Sequence, residues 1–215
     1  MLRFRSLGIF AITIAVLGAA NMYAQKLDVS ASGAKKVTLS DNVGDNQFVW
    51  VSDAPGEKIQ GTAEDVSGSL SIDPADLSRL SGTITAQVAS MKSGNSTRDQ
   101  HLRSSTWLDA EKYPTISFAI ASVRNVTVNG NKATGQVTGN FTMHGVTKVL
   151  TIPFNLTWLD ESEKTRARAP GDLVMIEATF EVSLADFKVK GREGVIGSNV
   201  GESISVKAKL FGSTK

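Results

Sequence analysis

The sequence predicts an all-β protein, an antiparallel eight-stranded barrel with one short helix covering an end. Apolar and polar residues alternate with a period of two along most of the chain, as in strands that bury one face. Turn signals separate these runs at the spacing of a sandwich or barrel. Only one segment breaks the period, and its pattern is helical. A sheet of about eight such strands can close on itself, which removes its exposed edges.

The predicted strands follow from the alternation and its interruptions. In chain order they are 48–51, 67–72, 83–91, 114–123, 132–143, 146–159, 174–184 and 203–211. The triplet Asn129-Gly130-Asn131 predicts a tight hairpin between the fourth and fifth runs. The charged stretch 160–171 is predicted to be a solvated loop, and the glycine-rich stretch 191–201 a flexible hairpin or lid.

The helical segment lies between the third and fourth strands. Ser96-Thr97-Arg98-Asp99 fits a capping box, which predicts a helix that starts there and runs to about Trp107. We expect the helix from Arg98 to Leu108 to cover one end of the barrel, with Trp107 and Tyr113 closing the apolar interior.

Residues 1–24 are predicted to be a secretory signal peptide. Arg3 and Arg5 precede an apolar run too short to span a bilayer, and small residues follow it. Cleavage after Ala24 is favoured because the strand-rich sequence starts just beyond it; cleavage after Ala20 and a retained N-terminal anchor are the alternatives. The predicted barrel domain is therefore 25–215, with no membrane span in the mature chain.

Charge and composition exclude several function classes. Removing the signal peptide takes away two basic residues and no acidic one, so the 23 basic and 21 acidic residues become equal in number. A neutral chain is a poor partner for nucleic acid or for an anionic membrane surface. The chain has no cysteine and two histidines, so thiol chemistry is excluded and a metal site is not expected.

Catalysis is not predicted either. The sequence contains no Gly-x-Ser-x-Gly elbow, no His-Glu-x-x-His and no phosphate-binding loop. A Ser-His-Asp group assembled in space stays open as an alternative. We expect no catalytic residues and no enzyme activity.

Bulky flexible side chains on the inward face are candidates for an apolar pocket. Met and Phe line adaptable pockets, although the same residues equally well fill a packed core. The inward candidates are Met91, Phe118, Phe141, Met143, Phe154 and Phe180.

Two segments resemble a known family. "RDQHLRSSTWLDAEKYPTISF" (98–118) and "GNFTMHGVTKVLTIPF" (139–154) are similar to the core signature of the YceI-like, periplasmic polyisoprenoid-binding proteins. The later "SLADFKVKG" (183–191) also resembles the closing strands of that family. The segment "NQFVWVSDAPGEKIQG" departs from the usual opening strand, and Leu184 and Lys188 replace an arginine and a glycine that are frequent in the family.

The resemblance implies a lipocalin-like barrel that holds an isoprenoid chain in a bacterial periplasmic or secreted protein, as a monomer or a homodimer. It implies no cofactor other than a bound polyprenyl lipid or prenyl quinone. A ligand-free envelope interaction or stress module with a packed barrel is the alternative. The expected ligand-binding residues are Met91, Arg98, His101, Leu102, Trp107, Tyr113, Ile116, Phe118, Phe141, Met143, Phe154 and Phe180. His101 is predicted either to bond a head group or to fix the helix to the barrel, and His144 is predicted to be a turn residue.

Overall fold

The computed structural model describes residues 26–215, so the predicted signal peptide lies outside the described residues. This part of the chain forms ten strand segments and two short α-helices. The strands are β1 (Lys35–Leu39), β2 (Gln47–Asp53), β3 (Lys58–Ala63), β4 (Val66–Ile72), β5 (Ser81–Gln87), β6 (Thr115–Asn129), β7 (Lys132–Met143), β8 (Val146–Leu159), β9 (Leu173–Ser183) and β10 (Ser203–Ser213). The helices are α1 (Ser96–Arg103) and α2 (Glu163–Arg166), and short 3₁₀ turns cover Leu77–Arg79, Val88–Ser90 and Ala185–Phe187.

The strands close into an antiparallel barrel. The ring runs β1-β4-β5-β6-β7-β8-β9-β10, and β10 pairs back with β1 through Thr38↔Ser213. The segments β2 and β3 form a hairpin that continues the ring upwards, with β2 beside β10 in the register Trp50↔Val206. The predicted eight-stranded barrel is therefore confirmed.

The first two barrel strands are each broken in two, which the sequence prediction missed. The predicted runs 48–51 and 67–72 correspond to β2 and β4, whereas β1 and β3 were not predicted. In β1 only Val37 is buried, so the strand carries almost no alternation. In β3 the pattern is interrupted by Gly61, which lies under the Trp50 ring, where a Cβ atom would come within 2.1 Å of Trp50 Cζ2.

The connections define two ends of the barrel. The upper end holds the β2–β3 turn, the long β5–β6 connection with α1, the β7–β8 turn and the β9–β10 connection. The lower end holds the β4–β5, β6–β7 and β8–β9 connections and the N-terminal residues from 26 onwards. The predicted hairpin at the lower end is confirmed, since Gly130 has a φ of 60° between β6 and β7.

The lower end is sealed by apolar side chains. Leu27, Leu77 and Trp158 are fully buried there. The backbone N–H of Leu27 donates to the Pro74 carbonyl at 2.8 Å, and the N–H of Asp28 donates to the Gly130 carbonyl at 2.9 Å. Residues close to the N-terminus of the described chain therefore lie at the end opposite α1.

The helix α1 covers the upper end as predicted, but its boundaries differ. The N-cap is Asn95, whose side chain accepts from the Arg98 N–H at 3.1 Å, and the helix ends at Arg103. Asp99 is buried and accepts from the backbone N–H and the hydroxyl of Ser93, both at 2.7 Å. The capping-box interpretation was wrong because the N-cap is Asn95 rather than Ser96, and the Asp99 carboxylate accepts from Ser93 instead of from an N-cap N–H.

The charged connection between β8 and β9 is more ordered than a solvated loop. It contains α2, which a capping box between Ser162 and Thr165 starts. The Gly171 N–H and the Arg166 guanidinium both donate to Glu161 and hold the pKa of its carboxyl below the usual range.

Candidate functional site

An apolar cavity of about 380 Å³ lies inside the barrel, and its wall extends from the upper end down to Leu70 and Leu80. This volume is in the range of small-molecule sites in proteins. Every barrel strand except β1 contributes to its wall. The large apolar side chains of the wall include Phe48, Trp50, Ile84, Ile116, Phe118, Ile120, Phe141, Met143, Phe154, Phe180 and Val206.

The cavity is long and narrow. Along β10 its wall includes Ile204, Val206, Ala208 and Leu210, which alternate with outward residues. With a rise of about 3.4 Å per residue, this stretch is about 20 Å long. A strand tilt of about 40° reduces it to a depth of about 15 Å along the barrel axis. The shape suits an extended hydrocarbon chain.

The interior is packed below the cavity and open above it. Leu156 and Trp158, near the lower end, are 1% and 0% exposed and do not line the cavity. The inward residues Ile84, Phe118 and Phe180 are only half-buried, because the cavity rather than protein lies over them. This distribution disfavours the alternative of a fully packed barrel.

The mouth of the cavity carries the polar groups. Its polar lining residues are Ser52, Glu57, Arg98, His101, Ser117, Arg192 and Asn199. Most of them belong to the β2–β3 turn, α1 and the β9–β10 connection, which meet at the upper end. Arg98 Nη2 lies 2.6 Å from Glu57 Oε1 and joins α1 to the β2–β3 turn.

Backbone hydrogen bonds hold the segments of the mouth together. The Gly56 N–H donates to the Ser198 carbonyl, and the Gly201 N–H donates to the buried Ser52 hydroxyl, both at 2.8 Å. The β2–β3 turn and residues 198–201 therefore form one rigid side of the mouth. On the other side, Arg103 of α1 donates to the Met91 carbonyl at 3.1 Å.

A seam joins β3 to the segment that precedes α1. Thr62 and Lys92 exchange two backbone hydrogen bonds, of 2.8 and 2.9 Å. Next to them Lys92 Nζ lies 2.7 Å from Glu64 Oε2, and this bond lowers the pKa of the Glu64 carboxyl. The seam closes the barrel wall beside the mouth.

Trp107 and the glycine-rich connection cover part of the mouth together. Gly191 has a φ of 62°, and a Cβ atom there would lie 2.7 Å from the Trp107 ring. Both the conformation and the close approach require glycine. Val195 and Val200 of the same connection line the cavity. The stretch predicted as a flexible hairpin or lid thus forms part of the cavity wall.

The structure brings together all but one of the predicted ligand-binding residues. The residues on the cavity wall are Met91, Arg98, His101, Leu102, Trp107, Ile116, Phe118, Phe141, Met143, Phe154 and Phe180. Phe141 is buried and meets Phe180 and Phe187 edge to face, with ring centroids 5.9 and 5.4 Å apart. The role of these side chains in ligand binding stays a prediction.

Tyr113 is the exception, and the expectation that it closes the interior was wrong. Its ring packs edge to face on His144, with centroids 5.1 Å apart, and it is not part of the cavity wall. The chain forms a turn before it, where Asp109 has a φ of 49° and its carbonyl accepts from the Tyr113 N–H at 2.7 Å.

The two histidines have different surroundings. His144 is a turn residue as predicted, with a φ of 51°, and its Nδ1 lies 3.0 Å from the Phe187 carbonyl oxygen. The His101 ring is exposed at the mouth and has no hydrogen-bond partner within residues 26–215. In this range no three metal-ligating side chains cluster.

Several wall residues were missed by sequence reasoning. Phe48, Trp50, Ile204 and Val206 lie in predicted strands, and the alternation there was a usable signal. Arg192 and Asn199 lie in a connection without periodicity, so no pattern marks them.

Within the described residues, no helix is both long and apolar enough to cross a bilayer.

Comparison with known proteins identifies the family of this chain and solved structures with the same fold. The YceI-like domain model matches residues 29–211. A UPF0312 protein of Pseudomonas putida is 34% identical over 169 residues, which cover 78% of this chain and 83% of the relative. Burkholderia cenocepacia BcnA superposes with a TM-score of 0.65 at 21% identity, covering 80% of this chain and 98% of BcnA. A polyisoprenoid binding domain from Saccharophagus degradans, implicated in plant cell wall breakdown, gives a TM-score of 0.60 at 14% identity and covers 84% and 99%. The two solved structures share the fold.

Proposed function

The chain belongs to the YceI-like family, and we propose that its barrel binds the apolar chain of an isoprenoid-like lipid and sequesters or carries it in the bacterial cell envelope. The observation that carries the proposal is the apolar cavity of about 380 Å³, sealed at the lower end and polar only at its mouth. The Saccharophagus domain, which has the same fold, is described as polyisoprenoid binding, which supports this class of cargo. The predicted signal peptide supports a location in the periplasm or outside the cell.

The depth of the cavity sets the length of chain that it accepts. An extended isoprene unit is about 5 Å long, because it contains four C–C bonds of about 1.5 Å in a zigzag. The estimated depth of 15 Å therefore accommodates roughly three units, or four if the chain follows the tilted strands. A longer polyprenyl chain would leave its remaining units outside the mouth.

The energetics favour exchange rather than permanent capture. Burying about 15 carbon groups from water gains about 12 kcal/mol at roughly 0.8 kcal/mol each. Association and ordering cost about 4–15 kcal/mol, so the net gain from water is modest. A bilayer offers the chain an equally apolar environment. The protein therefore competes with a membrane through the fit of the cavity and through contacts at its mouth, as a carrier would.

The chemistry of the wall supports binding rather than catalysis. His101 is the histidine at the mouth, and none of the hydrogen bonds among residues 26–215 pairs its ring with a hydroxyl or a carboxylate. A general base that activates a serine needs such a pair within hydrogen-bond distance.

Uptake from vesicles tests the proposal. The protein is incubated with phosphatidylcholine vesicles that contain radiolabelled geranylgeraniol, and the vesicles are then sedimented. We expect the supernatant to hold about one labelled lipid per protein. Labelled lipid at the level of a protein-free control would contradict the proposed function.

The tryptophans provide a positional control. Trp50 and Trp107 line the cavity, whereas Trp158 is sealed at the lower end. A lipid brominated near the head group should quench Trp107 emission in a variant that keeps only this tryptophan. It should leave the emission of a Trp158-only variant unchanged. Equal quenching in the two variants would show that the lipid does not bind with its head group at the mouth of the cavity.

A further inference from the structure

On the basis of the lipid-binding function proposed above, we propose that the mouth of the cavity binds an acidic head group, either a carboxylate or a phosphate ester. The cargo is then a single-chain acidic lipid whose hydrocarbon fills the barrel. The site is formed by Arg98 of α1, Arg192 and Asn199 of the β9–β10 connection, and His101.

The mouth offers more hydrogen-bond donors than acceptors. A guanidinium has five N–H groups and accepts none. Arg98 uses Nη2 on Glu57, and its other N–H groups stay available. The Arg192 guanidinium forms no hydrogen bond or ion pair with any residue of the range 26–215, and only its backbone carbonyl accepts, from the Val195 N–H. The Asn199 amide NH₂ likewise has no acceptor in that range.

Three acceptor groups at the mouth already have donors, and one of them is Asn199 Oδ1, which accepts from the Ser198 hydroxyl at 3.3 Å. The Glu57 carboxylate accepts from Arg98 at 2.6 Å. The buried Ser52 hydroxyl accepts from the Gly201 N–H at 2.8 Å. The Ser117 hydroxyl and the His101 ring can each act either way. A ligand that enters therefore meets unsatisfied donors, and an acceptor-rich head group satisfies them.

The charged residues of the cavity wall also favour an acidic head group. Arg98 and Glu57 neutralise each other, which leaves Arg192 as the uncompensated charge. Glu193 and Glu202 of the same connection do not line the cavity. Arg192 is exposed at the mouth, but an anion held between it and the apolar cavity has less water around it than in bulk and interacts with it more strongly. A neutral head group would cover Arg192 without pairing it.

The site is partly preorganised. The bond from the Gly56 N–H to the Ser198 carbonyl places Asn199 beside the β2–β3 turn, where its Nδ2 lies 3.1 Å from the position of a Cβ atom on Gly56. Asn199 is thus held on the same side of the mouth as Glu57 and its partner Arg98. Less ordering is then needed when a head group binds.

Ligand pairs with identical chains test the proposal. Affinities are measured for geranylgeranyl phosphate against geranylgeraniol and for hexadecanoate against hexadecanol, with wild-type protein and Arg192→Gln. We expect the acidic member of at least one pair to bind about tenfold more tightly, as charge-assisted hydrogen bonds do. In Arg192→Gln this preference should fall to near parity, because the affinity for the acidic member falls by more than the affinity for the alcohol.

Two further variants make the result specific. Arg168→Gln removes an exposed arginine at the lower end and should change neither affinity. Arg98→Gln leaves the Glu57 carboxylate without its partner at the mouth, so it should weaken binding of the acidic lipids. The pair that shows the preference identifies the head group as phosphate or carboxylate.

The outcomes separate the two proposals. Equal affinity for the acid and the alcohol of both pairs in the wild-type protein would overturn the acidic head-group site and leave the lipid-binding function standing. Binding of neither member of either pair would refute the lipid-binding function itself.

Discussion

Filling the cavity at half depth should separate lipid binding from stability. Ala178 of β9 lines the cavity and pairs with Ala208 on one side and Phe154 on the other. In Ala178→Phe the ring would enter open space rather than packed protein. The wall below this level, at Ile176 and Leu210, would be cut off from the mouth.

The expected magnitudes follow from the wall. About half of the estimated 15 Å depth is lost, which corresponds to one or two isoprene units. At roughly 0.8 kcal/mol per buried carbon group, the lost burial exceeds 3 kcal/mol. Binding of geranylgeraniol should weaken by more than 100-fold, whereas geraniol, with two units, should keep most of its affinity. Burying the new ring should stabilise the free protein by about 1.5 kcal/mol, or about 3–6 °C in Tm.

Calorimetry and vesicle uptake on the same preparations measure both effects. Thr179→Phe is the matched control, because the adjacent side chain points to the outer face and is exposed. It should change neither uptake nor Tm appreciably. Wild-type uptake of geranylgeraniol by Ala178→Phe, or a fall in its Tm from overpacking, would refute the open cavity at this level.

Three other predictions concern the wall, the mouth and the lower end. Phe118→Asp puts a carboxylate on the cavity wall and should abolish uptake of geranylgeraniol. The circular dichroism spectrum should stay native. Normal uptake by this variant would show that Phe118 is not part of the lipid-binding site. Gly191→Ala should speed lipid release in stopped-flow measurements, because the added Cβ atom displaces Trp107. Gly194→Ala is the control and should not change the release rate, since Gly194 has the same left-handed backbone but no neighbour within 4 Å. Equal release rates of the two variants would contradict the covering role of Trp107. The pKa of Glu161 is lowered in the folded state, so its contribution to stability is present above the unfolded pKa of about 4.3 and is lost as pH falls through the folded value. Urea unfolding from pH 7 to pH 3 should therefore show a weaker acid destabilisation in Glu161→Gln, and identical pH profiles would contradict it.

The sequence predicts the barrel because most strands bury only one face. In β8, Ile152, Phe154 and Leu156 are buried and alternate with exposed residues, so the period of two is complete. The strands β1 and β3 also bury one face, but they are too short for the alternation to be recognised in the sequence. β1 pairs with β4 and β10, which are far away in the chain and leave no local signal, whereas β3 pairs with the preceding β2 but carries the small residues Gly61 and Ala63 on its buried face.

The wall of the candidate site was predictable, but its extent was not. Inward aromatic residues such as Phe118 and Phe141 follow from the alternation. Inward residues either touch each other across the barrel or enclose a cavity, depending on how far apart the closed ring of strands holds them. No local sequence pattern indicates that distance. Arg192 and Asn199 reach the mouth through a connection without periodicity, and Tyr113 packs on His144 instead of lining the cavity.

Native mass spectrometry of the protein purified without detergent, followed by organic extraction and identification of the lipid, tests the central claim most directly. We predict a stoichiometric adduct whose mass matches a lipid with a polyprenyl chain, and its loss in Ala178→Phe but not in Thr179→Phe. An apo mass that stays unchanged after incubation with prenyl lipids would contradict the claim that the barrel is a lipid-binding site.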